Sequence, residues 1–168
     1  MFIAHLPAGY LVTDAFLRGR RVPEAARRRL LAAGMMASVA PDLDLLYFYL
    51  LSDRQRVHHE FLPHLPLAWV PVLVAAAVVL ATSRAGRTAW LGFAIVALNL
   101  LGHLALDTTA GGIQWLWPFS RAEFVVAHVE ARYQPWVLNF VLHWTFALEL
   151  LLVVIAAWRI AIRRRAAA

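Results

Sequence analysis

The stretch TAWLGFAIVALNLLGHLALD, residues 88–107, decides the fold class because it combines the length of a membrane helix with polar residues at one end. A helix that crosses a bilayer needs about 20 mostly apolar residues. The stretch is apolar as far as Asn99, and it then carries His103 and Asp107 at successive spacings of four. Residues four apart share a helix face, so the three side chains form one polar stripe on an otherwise apolar helix.

The composition of the whole chain is also typical of a membrane protein. Of its 168 residues, 62% are hydrophobic and 15% are charged, which is too apolar for a soluble domain of this size and excludes a disordered chain. Cysteine is absent, so a metal site would use His, Asp, Glu or Asn, ligands that suit Zn²⁺, Mn²⁺ or Mg²⁺. The net charge of +6 comes from arginines placed as membrane topology requires, so no nucleic-acid partner is expected.

Apolar segments along the chain predict an all-α, polytopic membrane bundle in which residues 1–168 form a single integral-membrane domain. The arginines concentrate in 18–29, 83–87 and 163–165, at alternate ends of successive segments. By the positive-inside rule these regions face the cytoplasm, which predicts an N-terminus outside and a cytoplasmic C-terminus. A short interfacial helix is expected near 121–131. The five predicted segments are 2–17, 29–51, 66–83, 88–107 and 135–162.

The histidines all fall on the outer side of the membrane in this topology, although successive segments run in alternating directions. An ionisable side chain in a spanning helix is energetically costly and normally faces the bundle interior, beside a partner. We therefore expect imidazoles and carboxylates from separate segments to meet in one extracytoplasmic pocket and bind a divalent metal, with Zn²⁺ favoured over Mn²⁺ and Mg²⁺. The candidate ligands are His5, Asp42, Asp44, His59, His64, His103 and Asp107.

The roles within this set stay open. Asp42 and Asp44 would point about 200° apart on a regular helix, but Pro41 can break the helix and turn both toward one cavity. One of the two is expected to bind metal, while the other supports a ligand or caps the restarted helix. Only one of the adjacent His58 and His59 is expected to point inward.

The remaining polar residues have weaker functional interpretations. Asn99 is expected to orient a ligand, and His143 either joins the centre or bonds a neighbouring helix. His128, close to Glu130, is expected at the surface. Glu149, near the middle of the last segment, is interpreted as structural rather than catalytic.

Four motifs carry a resemblance to a known family over roughly residues 1–120: HLPAG at 5–9, APDLD at 40–44, HHEFLPH at 58–64, and GHLALDTTAGGIQWLWPFS at 102–120. Together they resemble the YdjM-like, LexA-regulated family of bacterial inner-membrane metal-dependent hydrolases. The resemblance implies an inner-membrane location and a metal-dependent hydrolase.

The third motif departs from that family's pattern. His59 and His64 keep its spacing, but Glu60 stands where the family has Arg, and Pro63 stands where it has Thr. The substrate-facing role of that Arg is therefore unassigned, with Arg54 or Arg56 as candidates.

The order of these residues is also distantly similar to that in the all-helical zinc-dependent phospholipase C and single-strand nuclease fold. That group holds clustered zinc with an N-terminal His, an Asp, a His and a His-x-x-x-Asp helix. Its final His-x-x-x-Glu is not matched, since Ala147 follows His143 at that spacing. The similarity implies phosphoester hydrolysis.

The resulting hypothesis is a membrane-embedded hydrolase that attacks a phosphoester of a lipid or lipid-linked, amphiphilic substrate with metal-activated water. Asp44 or Asp42 would serve as the general base. The alternative is a metal-ion transporter or a non-catalytic metal-binding membrane protein. Transport sites lie near the bilayer midplane, whereas these candidates gather toward one face. A third possibility, a scaffold with packed histidines, predicts no bound metal.

Overall fold

The computed structural model describes residues 3–51 and 58–167, in which regular structure is helical apart from one isolated bridge between Ile113 and Phe124. The predicted all-α class is therefore confirmed. Short 3-10 turns lie between α2 and α3 (Pro41–Leu43) and before α4 (His58–Glu60, Leu62–His64, Pro66–Ala68). The helices are α1 (His5–Phe16), α2 (Glu24–Ala37), α3 (Asp44–Leu50), α4 (Trp69–Thr82), α5 (Arg87–Asp107), α6 (Val137–Val141) and α7 (Thr145–Ala167).

Two helices are long and apolar enough to cross a membrane: Arg87–Asp107, with mean hydropathy 1.8, and Thr145–Arg165, with mean hydropathy 2.1. The pair Glu24–Ala37 and Pro41–Leu50 passes the same test together but is bent by 53°. Pro66–Thr82 is apolar but shorter, and α1 has 12 residues. The described part of the chain thus contains two candidate spans, or three if the bent pair is one span.

The centre of the bundle is the close crossing of α1, α2 and α5. A methyl group added to Gly34 would collide with the Thr13 hydroxyl and press on Asn99 and Ile95. Small residues permit such approaches between membrane helices. Asn99 donates to Thr13 Oγ1 at 3.1 Å and to the Ile95 carbonyl at 2.8 Å. Asn99 therefore joins α5 to α1 instead of orienting a candidate ligand, which corrects the expectation from sequence.

The break between α2 and α3 lies where the sequence predicts it. Pro41 is buried at the first position of the 3-10 turn and has no backbone N–H to continue the helix. The carbonyl groups at the end of α2 are thereby released from regular helical bonding. The break exposes Asp42, Asp44 and the Ser38 carbonyl to the same interior region.

The last predicted segment, 135–162, is interrupted. A turn separates α6 from α7, and at this turn His143 Nδ1 lies 2.9 Å from Thr145 Oγ1. The Asn139 carboxamide oxygen accepts from the backbone N–H groups of Arg132 and Tyr133, both at 2.7 Å. These local bonds compete with a continuous helix, as short polar side chains do.

The expected interfacial helix near 121–131 is wrong. Phe124 exchanges two backbone hydrogen bonds with Ile113, while the Val126 and Ala127 N–H groups donate to the carbonyls of Thr108 and Thr109. Because these backbone groups bond to a preceding segment, they are not used for helical turns. The segment packs as an irregular strap against the end of α5.

The end of the bundle opposite His5 is fastened by ion pairs. The buried Asp14 carboxylate on α1 contacts Arg27 of α2 at 3.0 Å, Arg159 of α7 at 2.9 Å, and Arg163 of α7. Three guanidinium groups around one carboxylate tie α1 to two other helices. The arginine-rich stretches 18–29 and 163–165 therefore meet at one end of the bundle.

Candidate metal centre

The His-x-x-x-Asp pair at the end of α5 forms the base of the site. One helical turn brings His103 Nε2 to 2.9 Å from Asp107 Oδ2. Both side chains are about 1% exposed. The N-terminus of α1 adds His5, the broken helix adds Asp42, and the turns before α4 add His59 and His64.

Asp107 is the hub of this group. Its Oδ1 lies 3.1 Å from His5 Nε2, and its Oδ2 lies 3.6 Å from His64 Nε2 and 3.9 Å from His59 Nε2. One carboxylate thus faces imidazoles from three separate segments in addition to its own helix. Such an arrangement suits a carboxylate that bridges two cations.

Asp42 closes the group from the side of the broken helix. Its Oδ1 lies 3.6 Å from His64 Nε2 and 3.7 Å from His103 Nε2, and its Oδ2 lies 3.9 Å from His5 Nε2. The Asp42 side chain is 26% exposed, against 16% or less for the other members. Asp42 therefore lies at the open side of the site.

Two imidazoles are held in a defined orientation from behind. His103 Nδ1 lies 2.8 Å from the Ser38 carbonyl and His64 Nδ1 lies 2.7 Å from Asp44 Oδ2. Since both partners only accept, each Nδ1 carries the proton and donates it. The Nε2 atoms of His64 and His103 then face each other across 3.3 Å. A cation held between them would take the place of a proton on Nε2.

The spacing of these atoms fits a metal ion. Each Zn–N bond is about 2.0–2.1 Å, so two nitrogen ligands of a tetrahedral zinc ion are about 3.3 Å apart. The described residues form two groups whose donor atoms lie within 4.8 Å of one another: His5, Asp42, His103 and Asp107, and His59, His64 and Asp107. The two groups share Asp107, so the site could hold one ion or two.

The electrostatics around His64 favour positive charge. Burial alone would lower the pKa of His64, but hydrogen bonds to Asp107, Asp42 and Asp44 outweigh it and raise the pKa to about 10. The same carboxylates would stabilise a bound cation, which would displace the Nε2 proton. His64 lies in the turn Leu62–His64, outside the membrane-spanning helices.

His5 is positioned by stacking and by a capped helix end. Its ring stacks on that of His103 with centroids 3.9 Å apart, and its Nδ1 is buried without a hydrogen-bond partner among the described residues. Glu149 Oε2 of α7 accepts from the backbone N–H groups of Ile3 and Ala4, at 2.7 and 3.2 Å. A carboxylate at a helix N-terminus satisfies otherwise unpaired donors and complements the helix dipole.

Two glycines after Asp107 lie directly beside side chains from other segments. A methyl group added to Gly111 would overlap the His59 ring, and one added to Gly112 would overlap the Glu123 carboxylate. The backbone at Gly111 must therefore pass directly beside His59. This close approach explains why the chain carries glycine there.

The structure brings all seven predicted residues together, and it distinguishes their positions. Asp42 faces the other candidate ligands, whereas Asp44 lies behind His64 and orients it. His128 and His143 instead line a separate cavity of about 320 Å³ near Asn139. Arg54 and Arg56 lie outside the described residues, and so does the side chain of His58.

Three contributors were not predicted from the sequence: Ser38, Gly111 and the capping role of Glu149. Ser38 acts through its carbonyl, and a backbone atom leaves no residue-type signal. Gly111 follows Asp107 by four residues, so its position in GHLALDTTAGG was available as a signal. Glu149 was predicted to be structural, but its partners Ile3 and Ala4 could not be predicted because they lie near the start of the chain.

Comparisons with known proteins agree with this membrane-bound architecture. A family model described as YdjM inner membrane protein matches residues 1–167. Inner membrane protein YbcI of Escherichia coli (strain K12) is 33% identical over 117 residues, which cover 66% of this chain and 66% of YbcI. The alignment therefore spans about two thirds of this relative. No solved structure matches the chain.

Proposed function

The chain belongs to the YdjM inner membrane protein family, and from that premise we propose that it is a membrane-embedded, metal-dependent hydrolase. The reaction we assign to it is hydrolysis of a phosphoester in a lipid or lipid-linked substrate. The supporting observation is that His64 and His103 direct Nε2 at each other across 3.3 Å while acceptors hold both Nδ1 atoms. Asp107 and Asp42 supply the negative charge that a divalent cation needs.

Zn²⁺ is the favoured ion, because imidazole and carboxylate together suit it and the nitrogen spacing fits tetrahedral coordination. A bound ion would lower the pKa of a water molecule and polarise an oxygen of the scissile phosphoester. His103, His64, Asp107 and Asp42 would hold the ion. His59 and His5 would complete one or two such sites around the shared Asp107.

Asp42 is the residue we assign as general base. Its carboxylate is the most exposed of the group, and one oxygen can bind metal while the other accepts a proton. The proton would come from the attacking water as the new P–O bond forms, and it would pass to the departing alkoxide as the ester bond breaks. Asp44 is assigned a positioning role through His64.

The depth of the centre favours an amphiphilic substrate. On α5, His103 lies about 24 Å and Asp107 about 30 Å from Arg87, at 1.5 Å per residue. The hydrocarbon core of a bilayer is about 30 Å thick. With Arg87 at the cytoplasmic boundary, Asp107 would lie at the outer headgroup level and His103 about one helical turn below it. We therefore propose an N-terminus outside, a cytoplasmic C-terminus, five helical segments and an extracytoplasmic site.

The packing of the helices below the centre argues against transport of the metal. An alternating-access site lies near the midplane and opens to both sides. On the cytoplasmic side of the centre, Thr13, Asn99 and Gly34 are in close contact, and Asp14 is covered by arginines. Such close packing on that side of the centre counts against a passage for an ion through the described helices.

The test is the metal content of purified protein, measured by elemental mass spectrometry for wild type, His103→Ala and Asp107→Ala. We expect wild type to hold one or two ions and both variants to lose them, because even an outer-shell partner contributes about 10–100-fold in affinity. His128→Ala is the matched control, since His128 is exposed and outside the centre, and it should match wild type.

Hydrolysis is tested with a panel of lipid phosphodiesters and a soluble aryl phosphodiester. Activity should be lost on chelation and restored by Zn²⁺. Unchanged metal content in both alanine variants would refute the centre. Zn²⁺ uptake into proteoliposomes without hydrolysis would establish the transporter instead.

A further inference from the structure

A cavity of about 320 Å³ adjoins the metal centre between α1, α5 and α7. Its wall is formed mostly by Gly, Ala, Val and Leu, with polar residues only where it meets His5, His103, Ser38 and Asn99. His5 and His103 therefore belong to both the cavity and the metal centre. An apolar space that ends on the candidate ligands needs an occupant with an apolar part and a reactive end.

The cavity lies at the depth of the bilayer hydrocarbon. On α5 its wall runs from Asn99 to Leu106, about 18 to 28 Å from Arg87 along the helix. The hydrocarbon core is about 30 Å thick, and apolar cavities do not hold water. Hydrocarbon is the material available to fill the space at this depth.

Gly102 shows that the space is not a by-product of helix packing. A methyl group added to Gly9 or Gly34 would collide with neighbouring atoms, so tight packing explains those glycines. A methyl group added to Gly102 would meet nothing within 4 Å. Glycine inside a helix costs about 0.5–1 kcal/mol relative to alanine. Its presence on the cavity wall is therefore explained by the room it leaves.

We propose that this cavity binds one hydrocarbon chain of the lipid substrate and thereby places the phosphoester at the metal centre. The inference rests on the proposed hydrolase function. It narrows the substrate to lipids in which a hydrocarbon chain is attached close to the phosphoester bond that is hydrolysed. The chain would enter between α1 and α7, where Val12 and Leu152 line the wall.

A photoactivatable phospholipid, with a diazirine in one acyl chain, tests this directly in proteoliposomes. After illumination, peptide mapping should locate cross-links on Val12, Leu106 or Leu152 of the wild type. Gly102→Leu fills the cavity and should reduce these cross-links by at least about tenfold, since excluding one methylene from an apolar pocket is worth that much. Leu101→Phe is the matched control, because Leu101 is 44% exposed and lies outside the cavity.

Ala105→Phe gives an independent block of the same wall if Gly102→Leu does not fold. Metal content is measured for every variant, and the ratio of kcat/KM for long-chain over short-chain phosphodiesters should fall in both. Cross-links that persist at wild-type level in folded, metal-containing Gly102→Leu and Ala105→Phe overturn the inference. Cross-links that depend on Gly102 in a protein without hydrolysis support the chain site and refute only the hydrolase.

Discussion

The Nε2 atoms of His64 and His103 lie 3.3 Å apart, although the two residues come from a 3-10 turn and from near the end of a long helix. Each ring is fixed from behind, His64 by the Asp44 carboxylate and His103 by the Ser38 carbonyl. The facing Nε2 atoms are thus held in place for the cation that we propose. This orientation is tested by changing a residue that holds a ring in place, such as Asp44, while the candidate ligands stay unchanged.

Asp44→Asn should weaken metal binding without abolishing it. The amide can keep the volume and accept from His64 Nδ1, but it no longer carries the charge that makes the imidazole a stronger ligand. We expect a loss of about 10–100-fold in affinity, measured by competition with a chelator of known affinity. Glu130→Gln, at an exposed acid that pairs with Arg132 in its own loop, should match wild type. An affinity equal to wild type in Asp44→Asn would contradict the supporting role.

Gly111→Ala should displace His59. The added methyl group would overlap the His59 ring. The methyl group cannot shift away from the ring, because the Asp107 carbonyl lies close on another side. Metal bound through His59, His64 and Asp107 should therefore be lost, while the group containing His5 and Asp42 retains its ion. Elemental analysis should show one ion fewer per chain in a two-ion protein, or weaker binding in a one-ion protein. Gly86→Ala, where the methyl group meets nothing within 4 Å, is the control.

Glu149→Ala should destabilise the protein through the start of α1. It would leave the buried N–H groups of Ile3 and Ala4 without their acceptor, which costs about 1–3 kcal/mol. Thermal unfolding in detergent should show a lower Tm than wild type. Glu149→Gln keeps one acceptor oxygen and should recover part of the loss. Equal Tm values for wild type and Glu149→Ala would show that the cap is dispensable.

Asp14→Ala should destabilise the end of the bundle opposite His5 and should leave the metal content of the proposed centre unchanged. Its removal leaves Arg27, Arg159 and Arg163 close together without their shared carboxylate, and breaking a buried ion pair costs about 3–5 kcal/mol. Adding Arg163→Ala should restore part of the stability by relieving repulsion. Tm and metal content measured on the same samples separate the two ends. Loss of metal from folded Asp14→Ala would contradict their independence.

The amino-acid sequence by itself determined the class of the protein and the candidate donors. An apolar composition without cysteine predicts a helical membrane protein with oxygen and nitrogen ligands, and the four-residue spacing of His103 and Asp107 places them on one face of α5. These inferences succeed because they depend on local periodicity and on residue type, which are written directly in the chain.

Only the tertiary structure decided how the donors are used. The contact of His5 with Asp107, the choice of Asp42 to face the centre and of Asp44 to support His64, and the carbonyl of Ser38 behind His103 all join segments far apart in sequence. The irregular strap at 121–131 likewise depends on backbone bonds to Thr108, Thr109 and Ile113. Residue periodicity carries no information about such contacts, because they arise when helices pack and each buried polar group takes whichever partner the packing brings within reach.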